Sequence, residues 1–247
     1  MKKILIVGGR SNLAKHFQSM YPKQSISLGR AKCDITSEKS LRKAISKFDG
    51  NYVLNCAALT NIDDCEQKLL KCFNINTFGA YLLNKVCLEK GKKLIHISSN
   101  YALDPVNNYG WSKYLSEKVI SRNFLIIRTS FYSKDLFIIK NILKGKKIKV
   151  YKNLYFNPIS INRLAEEIQV NLGKKGVINL FSSRKISYLK FARLICETFG
   201  INKNLIHPVS YGNENKTQRP INSFVEPDVN IDIKKDLLGF KKFCQDN

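Results

Sequence analysis

Hydrophobic segments alternate with amphipathic ones over the first 145 residues. An Ile- and Val-rich strand pattern covers residues 1–7 and ends at a Gly-Gly turn, and helical spacing follows over residues 11–19. Further strands are predicted at 25–28, 52–55, 93–98 and 124–128, and further helices at 36–48, 64–90 (interrupted near Asn74), 109–121 and 134–143. This order predicts an α/β fold with a Rossmann-type doubly wound parallel sheet.

The pattern weakens after Gly145. A strand at 149–151, a helix at 162–172, a strand at 177–181 and a helix at 188–199 are predicted, and irregular chain thereafter. We therefore expect an NAD(P)-binding domain at 1–150 and mainly a small substrate-binding lobe at 151–247. The pattern leaves open whether residues 176–181 return to the sheet.

Composition narrows the class of protein. The chain has 247 residues, 44% of them hydrophobic, and no run reaches the roughly 18 apolar residues of a membrane span. The start shows no leader pattern, so we expect a cytoplasmic protein without membrane insertion. The seven cysteines contain no CxxC pair and are expected to be reduced, buried thiols. Three scattered histidines predict no metal site.

The charge balance is the outlier, at +23 with 42 basic and 19 acidic residues. A basic surface attracts phosphates and nucleic acids. The lysines are spread along the chain, however, with no basic stripe interleaved with aromatic residues of the kind that stacks bases. A nucleic-acid partner is therefore not expected, whereas an anionic nucleotide ligand would benefit from the same field.

The first turn is a candidate dinucleotide site. At glycine-fingerprint spacing its positions are Gly8, Ser11 and Ala14, where Gly8 allows the tight turn and Ala14 allows close helix packing. Ser11 is also a good N-cap. The cofactor-binding residues predicted in this turn are Gly8, Arg10, Ser11, Asn12 and Leu13.

The second strand ends Leu28-Gly29-Arg30, where a protein that prefers NAD would carry an acidic residue. Arg30, with Arg10 in the first turn, offers guanidinium groups to a 2′-phosphate. We therefore expect NADP(H) to be favoured over NAD(H).

A candidate catalytic set follows the fourth predicted strand. That strand ends at Ser98-Ser99, and Tyr109 and Lys113 stand ten and fourteen residues after Ser99. Four residues apart on a helix, Tyr109 and Lys113 share a face, so the ammonium can lower the phenol's pKa and hold the ribose of a nicotinamide nucleotide. Ser99 can hydrogen-bond a carbonyl oxygen that receives the Tyr109 proton while hydride reaches the carbon.

With these motifs the sequence resembles the extended short-chain dehydrogenase/reductases, most closely their dTDP-4-dehydrorhamnose reductase branch. The resemblance runs almost the full length. Its matching segments, besides the glycine turn and the catalytic set, are Asp34–Thr36, Asn55–Thr60, Asn74–Thr77, Arg128–Ser130, Asn157-Pro158 and Arg219–Ser223.

The resemblance implies roles for individual residues. It implies a catalytic triad of Ser99, Tyr109 and Lys113. Of these, Tyr109 and Lys113 also contact the cofactor. It places Asp34 and Ile35 near the adenine and Ala57 and Ala58 along the cofactor path. It also implies that Asn76 supports the active-site helix and belongs to the cofactor-binding residues. Asn100, Asn157 and Arg219 fall at substrate positions. The implied partner is a nucleotide-linked sugar, and a homodimer is left open.

Departures from the branch keep alternatives open. Asn100 replaces the usual acid after the catalytic Ser, and the stretch from Ser99 to Tyr109 is short. The leading hypothesis is a reductase of a nucleotide-linked keto-sugar that serves surface-polysaccharide synthesis. The alternatives are an epimerase or dehydratase of such sugars, or a nucleotide-binding regulatory relative without turnover.

Overall fold

The computed structural model describes residues 3–212 and 217–246. Its strands are β1 (Ile4–Val7), β2 (Ser25–Leu28), β3 (Tyr52–Asn55), β4 (Lys93–Ile97), β5 (Leu125–Thr129), β6 (Phe131–Tyr132), β7 (Ile148–Tyr151), β8 (Tyr155–Phe156), β9 (Ile159–Ser160), β10 (Gly176–Leu180), β11 (Ile186–Ser187) and β12 (Ile206–Val209). Its α-helices are α1 (Asn12–Met20), α2 (Glu38–Ser46), α3 (Ile62–Gln67), α4 (Leu69–Phe73), α5 (Gly79–Glu89), α6 (Asn108–Val119), α7 (Phe137–Leu143), α8 (Ile161–Val170), α9 (Tyr188–Phe199) and α10 (Ile233–Asp246).

The main sheet has six strands in the order β10-β5-β4-β3-β1-β2. The pairs from β2 across to β5 are parallel, and Val7 lies in register with both Leu28 and Asn55. The predicted doubly wound α/β sheet is confirmed, and residues 176–180 do join it. Parallel strands end at one edge, so the glycine turn after β1 and the Ser98-Ser99 segment after β4 lie at the same edge, with β3 between their strands.

The predicted helix at 64–90 is divided in the structure. Backbone that is not helical at Lys68 separates α3 from α4, and a π-helical turn at Asn74–Phe78 joins α4 to α5. The interruption expected near Asn74 is therefore a π-turn, a feature often found at functional sites.

The chain forms two compact units, residues 1–128 with 165–178, and residues 129–164 with 179–247. The division at 128 lies earlier than the predicted boundary at 150, because β6, α7 and β7 pack in the second unit. The first unit has a core of buried aliphatic side chains on β1, β3, α2 and α5. The second is built around packed aromatic rings, in which the Tyr132 ring meets Phe191 at a tilt and Phe240 edge-on.

The expectation of irregular chain after residue 199 is wrong. β12 pairs in parallel with β7, and α10 forms a 14-residue helix. Ile233, Leu237 and Phe240 of α10 are at most 5% exposed. Their helical spacing is hard to see in the sequence because lysine pairs and Gly239 interrupt it.

All seven cysteines are free thiols, and five of them are buried. Within residues 3–212 and 217–246, no helix is both long and apolar enough to cross a membrane.

Candidate active site

The first turn requires its two glycines. Gly8 has φ +86°, and a Cβ there would lie 2.4 Å from the backbone nitrogen of Ala57. A Cβ on Gly9 would lie 2.5 Å from the Ser27 hydroxyl oxygen and 2.8 Å from the Leu28 carbonyl carbon. The turn is therefore pressed against the ends of β3 and β2, and a side chain at either glycine would fill that space.

Helix α1 begins directly after this turn. Ser11 is its N-cap, as predicted, and its hydroxyl accepts a hydrogen bond from the Ala14 amide at 3.2 Å. Ala14 is fully buried, as the third fingerprint position requires. Asn12 and Leu13 contribute first-turn backbone N–H groups that have no intrahelical acceptor. A helix start with such donors suits a phosphate.

Two arginines flank the end of β2. The side chain of Arg10 is exposed and lies beside Gly29. Arg30 is also exposed, and its Nε donates to Asp34 over 3.0 Å. Partial burial raises the pKa of Asp34, but hydrogen bonds from Thr36 and Arg30 outweigh it and hold this pKa below its ordinary value. Ile35 is 5% exposed and packs toward Gly79.

Asn76 joins the loop after β3 to the active-site helix α6. Its side chain accepts from the Leu59 amide at 2.7 Å, and its NH2 group donates to the Leu59 carbonyl at 3.0 Å and to the Ser112 hydroxyl at 2.8 Å. Ala57 and Ala58, half-buried, stand at the start of that loop. The contacts of Asn76 are with protein groups, and its assignment to the cofactor stays a prediction.

The predicted catalytic residues come together around the start of α6. Asn107 caps this helix, and Glu66 of α3 accepts hydrogen bonds from both nitrogens of Asn108. Ser99, 5% exposed, hydrogen-bonds the Tyr109 hydroxyl. The ring of Tyr101 meets the Tyr109 ring edge-on, with centroids 5.7 Å apart.

Burial raises the pKa of Tyr109 to about 12, although the Ser99 hydrogen bond lowers it. This direction is opposite to the lowering expected from Lys113. The reason is that burial disfavours the charged phenolate, while the Lys113 amine is directed to the Ile97 carbonyl, 2.7 Å away. The phenol of Tyr109 is thus protonated at neutral pH and has a proton that it can donate.

Lys113 is 2% exposed. Burial lowers its pKa to about 8, while the nearby Glu117 carboxylate raises it. Lys113 therefore carries its charge at neutral pH but loses it in mildly alkaline solution.

Sequence reasoning missed two neighbours of this set. His96 lies on β4 with its Nε2 atom 3.4 Å from the Lys113 amine. Glu117, one helical turn after Lys113, accepts from Ser98 at 2.6 Å and from Arg128 through both carboxylate oxygens. A histidine inside an apolar strand, and a Glu four residues after the Lys, are the signals that the sequence offered.

The predicted substrate residues are distributed over both units. Asn100, 6% exposed, accepts from the Ser99 hydroxyl at 3.1 Å. Asn157 is fully buried in the second unit, where its side chain bonds the Ser182 carbonyl and both backbone groups of Val225. The backbone amide of Arg219 donates to the Tyr211 hydroxyl at 2.9 Å. Asn157 thus braces its own unit, and a substrate role for Asn157 or Arg219 stays a prediction.

Comparison with known proteins places this chain in a family. The family model described as the RmlD substrate binding domain matches residues 1–228. The spore coat polysaccharide biosynthesis protein SpsK of Bacillus subtilis is 28% identical over 250 residues, covering 89% of this chain and 87% of that protein. The dTDP-4-dehydrorhamnose reductase of Mycobacterium tuberculosis is 23% identical over 243 residues, covering 85% and 79%.

Among solved structures, the dTDP-4-dehydrorhamnose reductase of Bacillus anthracis in complex with NADP has a TM-score of 0.89 at 22% identity, with both chains fully covered. This similarity shows the fold. With the family match over most of the length, it leads to one assignment. The chain belongs to the RmlD family, the dTDP-4-dehydrorhamnose reductase-like branch of the extended short-chain dehydrogenase/reductases.

Proposed function

We propose that this protein is an NADPH-dependent reductase that converts the keto group of a nucleotide-linked deoxysugar to a hydroxyl. The observation that carries the proposal is the hydrogen-bonded pair of Ser99 and a protonated Tyr109, with Lys113 one turn further along the same helix. A group that donates a proton at neutral pH suits reduction of a ketone.

The residues of the first unit fit a dinucleotide. Gly8 and Gly9 leave a cradle that any Cβ would fill, and the start of α1 presents backbone donors for the pyrophosphate. Arg10 and Arg30 flank the end of β2 and would offer guanidinium groups to a 2′-phosphate, which supports NADPH over NADH. When bound, the nicotinamide supplies the hydride.

Side chains of the protein bind the ketone and donate the proton. Ser99 and Tyr109 both hydrogen-bond the sugar carbonyl oxygen, which orients the ketone and stabilises the negative charge that develops on that oxygen. The phenol of Tyr109 then gives up its proton to this oxygen. Lys113 stabilises the resulting phenolate with its positive charge and holds the cofactor ribose.

The relatives narrow the substrate class. Matched proteins include reductases of dTDP-linked sugars and a protein of spore coat polysaccharide biosynthesis. We infer that the substrate is a nucleotide-linked 4-keto-6-deoxy sugar and that the product serves a surface polysaccharide. The expected site of action is the cytoplasm, where nucleotide sugars are made.

The test is oxidation of NADPH and NADH with a panel of dTDP-, UDP- and GDP-linked 4-keto-6-deoxy sugars. Tyr109→Phe should lose at least about a hundredfold in kcat. Tyr114→Phe, on the same helix, is the matched control and should keep its activity. Sugar isomerisation without net NADPH oxidation would instead identify an epimerase, and tight cofactor binding without any turnover would identify a regulatory protein.

A further inference from the structure

His96 belongs to a buried hydrogen-bonded chain beneath the active site. The residue is 1% exposed, and Asn55 on the neighbouring strand β3 is 2% exposed. The Asn55 amide nitrogen lies 3.0 Å from His96 Nδ1, and His96 Nε2 lies 3.0 Å from the Ser116 hydroxyl oxygen. Ser116 in turn donates to the Lys113 carbonyl at 2.7 Å. The chain thus runs from β3 through β4 to the backbone of the residue that carries the active-site amine.

The direction of every bond in this chain follows from one contact. The backbone N–H of Ala57 donates to Asn55 Oδ1 at 3.1 Å, so the Asn55 oxygen must face Ala57 and its NH2 group must face His96. Since an NH2 group only donates, His96 Nδ1 must accept and carries no proton. The proton of a neutral His96 is therefore on Nε2, from which it is donated to Ser116.

A second proton on His96 is disfavoured from two sides. An Nδ1–H would point at the Asn55 NH2 group, which is another donor. The Lys113 amine, 3.4 Å from Nε2, would place a second positive charge beside the ring. Burial and Lys113 both lower the pKa of His96 well below its ordinary value.

We propose that His96 is a positioning residue for Lys113, held neutral with its proton on Nε2. Through Ser116 it fixes the backbone of Lys113. It also offers no lone pair to the Lys113 amine, which is therefore directed to the Ile97 carbonyl and not to the ring. The role in turnover rests on the proposed reductase function, whereas the protonation state of His96 does not.

The groups that face this pair are few. Lys113 is the charged group that acts on His96, and Glu117, Cys72 and Cys56 are those that act on Lys113. Glu117 forms an ion pair with Arg128, and burial raises the pKa of Cys56 to about 12. Among these groups, therefore, none is a carboxylate in contact with the imidazole ring, and a carboxylate is what would favour protonation of the ring.

The first experiment reads His96 directly by NMR of protein labelled with 15N-histidine. The chain has only three histidines, so the signals that disappear in the His96→Gln variant are those of His96. We expect the His96 signals of a neutral ring protonated on Nε2, unchanged between about pH 5.5 and 7.5, where an ordinary histidine titrates and Lys113 keeps its charge. A proton on Nδ1, or a ring that titrates in this range, overturns the proposal.

Two substitutions distinguish the two hydrogen bonds that the His96 ring makes, one to Asn55 and one to Ser116. Glutamine at position 96 can still donate to Ser116, whereas asparagine can still accept from Asn55 but does not reach Ser116. We expect His96→Asn to weaken NADPH binding about tenfold and to lower kcat, with the KM for the sugar unchanged, and His96→Gln to stay within about threefold. Ser116→Ala should behave like His96→Asn.

The outcomes distinguish the inference from the proposed function. A merely structural role would lower the amount of folded protein in both His96 variants and leave the NADPH dissociation constant of the folded fraction unchanged, which would overturn the positioning role. Absence of reductase activity in the unaltered protein, with His96 neutral and protonated on Nε2, would instead count against the reductase and leave the assigned state of His96 standing.

Discussion

The side-chain amide of Asn76 donates to the hydroxyl of Ser112 over 2.8 Å and so joins the π-helical turn to the active-site helix. Ser112 lies between Tyr109 and Lys113 in sequence. Its own hydroxyl donates to the Tyr109 carbonyl at 2.8 Å, so Asn76 is connected through Ser112 to the backbone of Tyr109. Thr77 adds a bond to the Ser112 carbonyl at 2.9 Å. The segment that follows β3 thus sets the position of the helix that carries the phenol and the amine.

Asn76→Ala should destabilise the protein by about 3 kcal/mol, because it removes the acceptor of the half-buried Leu59 amide and a donor to both the Leu59 carbonyl and the Ser112 hydroxyl. Urea unfolding followed by circular dichroism gives the free energy of unfolding. The control is Asn74→Ala, an exposed residue of the same π-turn, which should change this free energy by less than about 0.5 kcal/mol. Equal losses in the two variants would show that the Asn76 bonds contribute little.

Gly8→Ala should destabilise the protein by more than about 4 kcal/mol, because the new Cβ would overlap the Ala57 backbone as well as sit at a positive φ. Gly91→Ala is the matched control. Gly91 has φ +61° with no atom within 4 Å of its would-be Cβ, so it should show only the backbone cost of about 1 kcal/mol. The same urea titration measures both. Similar losses would mean that the turn yields to accommodate a side chain.

Local pattern was enough to predict the sheet. Strands β2 and β3 have the predicted bounds, because each is a short run of strand-forming residues between turn signals. The glycine turn and the Tyr109–Lys113 spacing also identified where the site lies. Helix α10 was missed, since its three buried residues are separated by lysines and their burial depends on rings distant in the chain.

The protonation of the site was not predictable in the same way. That Lys113 shares a helix face with Tyr109 follows from spacing, but the direction of its amine depends on the Ile97 carbonyl and on His96, which belong to another element. Side-chain spacing on one helix carries no information about acceptors on the strand beneath it. The raised pKa of Tyr109 has the same origin, since burial is a property of the whole fold.

The pKa of about 8 for Lys113 predicts a pH-dependent contribution to stability. Below this pH the folded and the unfolded chain both carry the charge, and its burial destabilises the fold. As the pH rises above 8 the folded protein releases the proton, whereas the unfolded chain keeps it up to its ordinary pKa of 10.5. Stability from this group therefore rises with pH in that window.

The measurement is the difference in unfolding free energy between the unaltered protein and Lys113→Met at about pH 7.5 and pH 9.5. It should move by about 2 kcal/mol in favour of the unaltered protein. The buried thiols of Cys33 and Cys87, whose pKa values burial raises, titrate in both proteins and cancel in the difference. A difference that stays constant, or moves the other way, would contradict the lowered pKa.

Arg30→Ser tests the cofactor preference. Arg30 is exposed at the end of β2, held by Asp34, and a 2′-phosphate bound there would accept hydrogen bonds from its guanidinium. The substitution should lower kcat/KM for NADPH about tenfold and leave that for NADH unchanged, because only NADPH carries the phosphate. Arg122→Ser, an exposed arginine between α6 and β5, is the control for loss of a positive charge. An unchanged NADPH-to-NADH ratio would remove Arg30 from the cofactor site and leave Arg10 as the guanidinium to test.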